Sequence, residues 1–469
     1  MMKNSSKAYG VSLLAVLTLS AATLLNSGCG ANTINSGSSV TGAVTAPAFV
    51  VGTDAPLASV TSFNVQIESI TATTSAGTSV NLISGTPTVD FARYDGLQTL
   101  IDMNDVPVGT YTGVTVTLGT ATIGYLNATS GSAPAIQTEA ATLTTSTVTK
   151  TLATPLVVAT TGPVGLHMDF DLRKSIAVDG SGQITGSVTP TLDINVVAPS
   201  DPGAYIDEFT AAVVSVNMTA QSFVIQGPHG RNFTVNVNGQ TEWDNNESLN
   251  SLTTSSIVTL SGTLDRADST LDADDVAIDS QDGFYAGGLL TYVTPNSGTA
   301  SDFQFLVHGT LPTGTGVTLG QIAQVNLNGS ENFFIRRMHN TLTQYLFNNS
   351  TLLPGQHITV GGPASGATNG SALRVKRVVL RQRGYIATLV PGSINTSSNS
   401  FQVQITDFAG LLIPQTVTVY VDGMTDYRNG FTGLSNVSSS TNLRVVGLLL
   451  KDPASGNTIL LARYVDVLN

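Results

Sequence analysis

Along most of the chain apolar and polar side chains alternate. Phe63, Val65 and Ile67 are interleaved with Asn64, Gln66 and Glu68, and Val114, Val116 and Leu118 with Thr115 and Thr117. Successive side chains of an extended strand point to opposite faces, so this pattern places the apolar set on one side of a half-buried strand. Pro107 and Gly109, just before the second run, supply turn chemistry. The pattern predicts an all-β protein. Two stretches near the start depart from it. Val11 to Leu25 (VSLLAVLTLSAATLL) is continuously apolar, and residues 30–46 (GANTINSGSSVTGAVTA) are small, polar and aperiodic, as expected of a flexible tether.

The apolar stretch is short for a membrane helix and follows Lys3 and Lys7, the order of a signal peptide. Asn26, Ser27, Gly28 and Cys29 come next, and this arrangement resembles a bacterial lipobox, with Asn26 where an aliphatic residue is usual and Leu25 one position upstream. The resemblance implies a signal peptide over residues 1–28 and an acylated Cys29 that ties the protein to the cell envelope. Gly30 gives no acidic retention signal after the cysteine, which favours an outer-membrane destination. Cys29 is the single cysteine, so no intramolecular disulfide supports the fold. No later apolar run reaches the ~18 residues of a membrane helix.

Residues 47–198 are expected to form a β-sandwich. They resemble the bacterial family called domain of unknown function 4382 in Thr53-Asp-Ala-Pro56, Phe63 to Ile70, Val106 to Tyr111, Asp169 to Ser175 and Thr189-Pro190. The resemblance implies an envelope module and no reaction. After a linker at Pro199 to Gly203, three related units follow, over 204–282, 283–383 and 384–469. Unit one has Phe233 to Val237, Thr241-Glu-Trp243, Ile257 to Gly262 and Ala273 to Ile278. Unit three has Phe401 to Ile405, Val417 to Val421, Thr425-Asp-Tyr427, Leu443 to Gly447 and Leu460 to Val467. Unit two has Phe303 to Val307, Ala323 to Leu327, Ile358 to Gly362 and Leu373 to Leu380, and departs through Phe333 to Leu346. A Gly-terminated strand before the last suits small, OB-like barrels. The units more loosely resemble domain of unknown function 5666.

Only 11% of residues are charged, and 31 acidic against 19 basic residues argue against nucleic acid as a partner. Two runs stand out. Arg374 to Arg383 (RVKRVVLRQR) reads as a strand with a polar, solvated face. Asp265, Asp268, Asp272, Asp274, Asp275, Asp279 and Asp282 read as a solvated acidic face, with Asp272, Asp274 and Asp275 as weak Ca²⁺ candidates that lack EF-hand spacing. Asp169 and Asp171, two apart, would share a strand face, where paired carboxylates bind Ca²⁺ or do acid/base work; a strand edge or turn is the plainer expectation. No cofactor beyond that Ca²⁺ is expected.

His167, His229, His308, His339 and His357 are scattered, and HExxH, GxSxG and P-loop motifs are absent. Trp243, Tyr427, Phe333 and Phe334 are the aromatic candidates for stacking on a sugar, with core packing the alternative for each. The expectation is a non-catalytic, lipid-anchored envelope protein with a binding, adhesion or scaffolding role toward an envelope protein or polysaccharide. The alternatives are a glycan-binding protein using Trp243 and Tyr427, and an enzyme centred on Asp169 and Asp171.

Overall fold

The period-two runs fold as strands, and the strands build an N-terminal sandwich followed by three barrels of one connectivity. The structure, a computed structural model, describes residues 43–468 except 56, 58, 127–135, 228–229, 266–269, 296–297, 313–315, 337–344, 365–371, 408–411, 413–415, 429–430, 440–441 and 453–454. The signal peptide, Cys29 and most of the tether therefore lie outside the described residues, as do His229, His339 and Asp268.

The N-terminal module contains β1 (Thr45–Ala55), β2 (Val60–Thr74), β3 (Ser79–Asn81), β4 (Thr88–Asp90), β5 (Thr99–Pro107), β6 (Gly109–Leu126), β7 (Ile136–Ala140), β8 (Thr142–Leu143), β9 (Thr147–Val158), β10 (Val164–Asp171), β11 (Ile176–Val178), β12 (Ile184–Val188) and β13 (Leu192–Val197), with a one-turn helix, α1 (Leu172–Ser175), after β10. One sheet has the order β13-β10-β1-β5; a second is built on the long β2–β6 pair. Their facing sides share a core that includes Val50, Phe63, Val65, Val116 and Phe170, which makes the module a sandwich. The other face of β1 is covered too: Phe49 and Val51 pack with Leu100 and Phe209 in the core of the first barrel. Burial on both faces is why β1 lacks the clean alternation of β2.

The first barrel uses β14 (Ile206–Asn217), β15 (Ser222–Gln226), β16 (Asn232–Asn236), β17 (Glu242–Trp243), β18 (Ile257–Leu264) and β19 (Leu271–Ser280). The second uses β20 (Gly283–Thr294), β21 (Asp302–Leu311), β22 (Ile322–Asn326), β23 (Asn332–Ile335), β24 (His357–Pro363) and β25 (Arg377–Arg381). The third uses β26 (Arg383–Leu389), β27 (Ser400–Ile405), β28 (Thr416–Tyr420), β29 (Asp426–Tyr427), β30 (Asn442–Lys451) and β31 (Thr458–Val467). In each the sheet order is third, second, first, fifth, sixth, fourth. The third strand meets the sixth in parallel in the first and third barrels, through Val235↔Leu271 and Val419↔Leu460, and in the second it bridges Leu373, just upstream of the sixth, through Val325. This is OB-like connectivity. The sequence pairing of Phe233 to Val237 with Phe401 to Ile405 is off by one strand: the counterpart of β27 is β15, and β16 corresponds to β28. Both hairpin strands carry a Phe-Val alternation, so either fits the pattern.

The glycine within each fifth strand has a steric cause. A Cβ on Gly262 would overlap the Asp272 carbonyl oxygen, one on Gly362 the Arg374 oxygen, and one on Gly447 the Leu461 oxygen. Strand pairing shifts register at Ser261/Gly262 and at Val446/Gly447, so the last strand bends there against a bare backbone. Gly447→Ala is expected to destabilise the third barrel by about 1–3 kcal/mol, seen as a lower urea midpoint; an unchanged midpoint would show that the bulge relaxes freely.

The modules interlock. Val446 and Tyr464 of the third barrel belong to the sandwich core, and Leu448, Leu450, Ile459 and Leu461 to the core of the second barrel. The linker at Pro199 to Gly203 runs into a 3-10 turn, Pro202–Ala204, whose Ala204 is buried. The two charged runs, expected to be solvated, are so only in part: Asp274, Arg374 and Lys376 are exposed, while other members are buried. Asp275 and Asp279 of β19 and Arg381 of β25 are fully buried, as is Arg336 just after β23. Arg336 pairs with Asp275 at 2.9 Å and reaches Glu208 at 3.5 Å. Arg381 pairs with Asp279 at 3.1 Å and with Glu208. Thr259 and Thr359 donate to Asp279 at 2.5 and 2.8 Å, and Glu247 holds Arg377 at 2.7 Å. Arg381 and Asp279 are partners across the two runs, and mutual neutralisation permits their burial. Lys376 and Asp282 pair at the surface, at 3.0 Å.

Candidate functional site

Asp90 ends β4, an edge strand paired with β2, and the chain turns there into the 3-10 segment Phe91–Tyr94. Phe91 and Tyr94 are buried and anchor the turn. This fixes the Asp90 carboxyl, whose Oδ1 accepts the Phe63 backbone N–H at 2.7 Å. Arg93 extends from the same turn to Glu208, at 3.5 Å. His308 comes from β21 of the second barrel, and its Nδ1 lies 3.6 Å from Asp90 Oδ2. Behind it stands His357 of β24, with ring centroids 6.0 Å apart and its Nδ1 3.2 Å from the Gln382 carbonyl oxygen.

Asp90, Arg93 and His308 line a cleft of about 810 Å³ formed jointly by the sandwich, the first barrel and the second. Leu100, Ile101, Phe209, Leu311, Val317 and Leu319 make its apolar wall, and Thr86, Thr88, Thr99, Thr210, Thr310 and Thr318 bring threonine side chains to it. The size lies within the range of small-molecule sites, and so does the plan of an apolar wall with a few convergent polar groups.

Burial pushes the Asp90 carboxyl up to about 7, opposed by the Phe63 N–H and by Arg93. Burial also holds His308 well below the usual histidine value, helped by His357, Arg383 and Arg93. His357 is lowered to about 3, again by burial first and then by Arg93, with the Gln382 carbonyl opposing. Near neutrality His308 is uncharged and Asp90 is close to half ionised. Asp90 Oδ2 and His308 Nε2 are both buried without a hydrogen-bond partner. Such atoms are destabilising until something bonds to them.

Of the residues singled out in the sequence only His308 lines this cleft; the aromatic and acidic candidates lie elsewhere. Trp243 and Tyr427 do hold equivalent places, on the short fourth strands β17 and β29, each pairing in parallel with the last strand of its barrel. The threonine two residues before each donates to a last-strand carbonyl, Thr241 to Ala273 at 2.8 Å and Thr425 to Ala462 at 2.9 Å. Both rings are half-buried and pack on the cores of their own barrels, Trp243 at 6.4 Å from Phe223. Phe333 packs edge-on against Phe347 at 5.6 Å, and Phe334 lies under the Arg377 guanidinium at 3.9 Å. The four aromatics are thus divided among three barrels.

Asp169 and Asp171 both lie on β10, and Asp171 caps α1: Oδ1 accepts the Lys174 N–H at 2.9 Å, and Oδ2 pairs with Lys174 Nζ at 2.6 Å. The Asp169 carboxyl is pushed up to about 6 by burial and then by Asp171. On β19, Asp272 and Asp274 share one face while Asp275 points to the other and pairs with Arg336, so the three do not converge on one ion. Among the described residues no group of three or more His, Cys, Asp or Glu side chains is arranged to hold a metal. His308 and His357 were the only trace of the cleft in the sequence, and nothing in their spacing links them to Asp90.

A search of curated proteins finds no match to the chain. Residues 50–185, which include Asp90 and Arg93 but not His308, match the model of the family described as Domain of unknown function (DUF4382), and the N-terminal module is accordingly similar to that family.

Proposed function

We propose that the chain is a non-catalytic, lipid-anchored binding protein of the cell envelope, and that its receptor site is the cleft shared by the sandwich and the first two barrels. The cleft carries the reading: it has the volume and apolar wall of a small-molecule site, with unsatisfied polar atoms gathered at one place. The anchor rests on Cys29 and the apolar run before it, and the barrels are taken as relatives of domain of unknown function 5666. Trp243 and Tyr427 lie outside this cleft, each half-buried on its own barrel.

The test of the cleft is equilibrium titration with the uncharged dye Nile red. One dye per chain is expected, with binding lost in Leu319→Trp, which fills the apolar wall, while the circular dichroism spectrum stays unchanged. Binding that survives Leu319→Trp would remove the cleft as the receptor site. For the anchor, intact mass and membrane fractionation of wild type beside Cys29→Ser should show an acyl mass and membrane association only in wild type. Soluble, unlipidated protein in both would make the chain a freely secreted one.

A further inference from the structure

The polar end of the cleft specifies the charge of what binds there. This step rests on the cleft being the receptor site. Two charged side chains line the cleft, Asp90 and Arg93. Arg93 already faces a carboxylate, Glu208 Oε2 at 3.5 Å, and its guanidinium also lies against the backbone at Gly309. An anionic ligand would meet Asp90 and an Arg93 already neutralised by Glu208; a cationic one would face Arg93. Each would bring a net charge into a site with low-dielectric walls, where an unbalanced charge is strongly unfavourable.

The unsatisfied atoms are of complementary kinds. Asp90 Oδ2 is a carboxyl oxygen, and His308 Nε2 is the ring nitrogen remote from Asp90; both residues are at least nine-tenths buried. A hydroxyl group donates one hydrogen bond and accepts others, so it can satisfy a carboxyl oxygen and an imidazole nitrogen in either tautomer without adding charge. Beyond that end the wall is apolar, formed by Leu100, Ile101, Phe209 and Leu319.

We propose that the cleft takes an uncharged, hydroxyl-bearing ligand with an apolar body, its hydroxyl at Asp90 and His308 and its body against the wall of Leu100, Ile101, Phe209 and Leu319.

The experiment uses three probes with one body and different heads: benzyl alcohol, benzylammonium and benzoate. Each competes with Nile red on the intact, folded protein at pH 7.5. Benzyl alcohol is expected to displace the dye at a concentration at least tenfold lower than either ion. His308→Phe, which keeps the ring and removes its nitrogens, should weaken benzyl alcohol about tenfold more than it weakens toluene, which has the same body and no hydroxyl. Stronger displacement by benzylammonium or benzoate would overturn the uncharged class while the cleft itself stands. Equal displacement by all three, or no effect of His308→Phe, would remove the hydroxyl site. Nile red that does not bind at all would overturn the receptor reading beneath it.

Discussion

Arg381→Ala should destabilise the protein by about 3–5 kcal/mol, because it strands two carboxylates away from water. Arg381 is fully buried and joins Glu208 and Asp279, which come from the first barrel, to the second barrel. Removing it leaves both acids without their principal counter-charge, although Thr259 and Thr359 still donate to Asp279. Trp243, the single tryptophan, sits in the first barrel and reports unfolding there. Its fluorescence should show a lower urea midpoint for Arg381→Ala, and the added changes Glu208→Gln and Asp279→Asn should recover part of the loss. A midpoint equal to wild type would mean that water reaches these groups.

The second large effect depends on pH. A carboxyl whose folded value is raised from 3.8 to about 7 stabilises the folded state fully below the ordinary value, and this contribution is lost as pH rises through about 7. Each pH unit between the two values corresponds to about 1.4 kcal/mol, so the loss at Asp90 is on the order of 4 kcal/mol. Asn keeps the oxygen that accepts the Phe63 N–H and has no charge to bury. Asp90→Asn should therefore be more stable than wild type at pH 8, and the gap should shrink steadily toward pH 4. His308 and His357 act in the opposite sense: lowered by burial, they contribute stability above the ordinary histidine value and lose it as pH falls. They are present in both proteins, so the difference between the two melting temperatures isolates Asp90. A gap that does not change with pH would place Asp90 in contact with solvent.

What the sequence conveyed and what it withheld divide along one physical line. Strands such as β2 and β6 were legible because one of their faces is buried in apolar side chains, and period two records that directly. The barrel repeat was legible through its glycine, since Gly262 and Gly447 answer a backbone overlap that every copy must solve. The fate of the charged strands was not legible. A strand that alternates Arg with Val reads as half-solvated, and only its partner, an Asp-bearing strand in another barrel, makes burial tolerable. One signal was present: the acidic run and the basic run fall on the sixth strands of successive repeats, β19 and β25. The cleft left little signal, because His308 is a single residue of the second barrel that only the packing of the modules brings to Asp90 and Arg93 of the sandwich.

The buried charges bear on how such a chain is assembled. Barrels that met through leucine and valine would each expose a sticky patch until all neighbours were in place, and such patches drive aggregation of partly folded, multi-module chains. The third barrel does dock through Leu448, Leu450, Ile459 and Leu461, but at the joint of the first two a barrel that has closed before its neighbour arrives offers water aspartates or arginines. Its docking face stays wettable until the complementary strand displaces the water, so the order in which the modules finish folding matters less than for apolar joints.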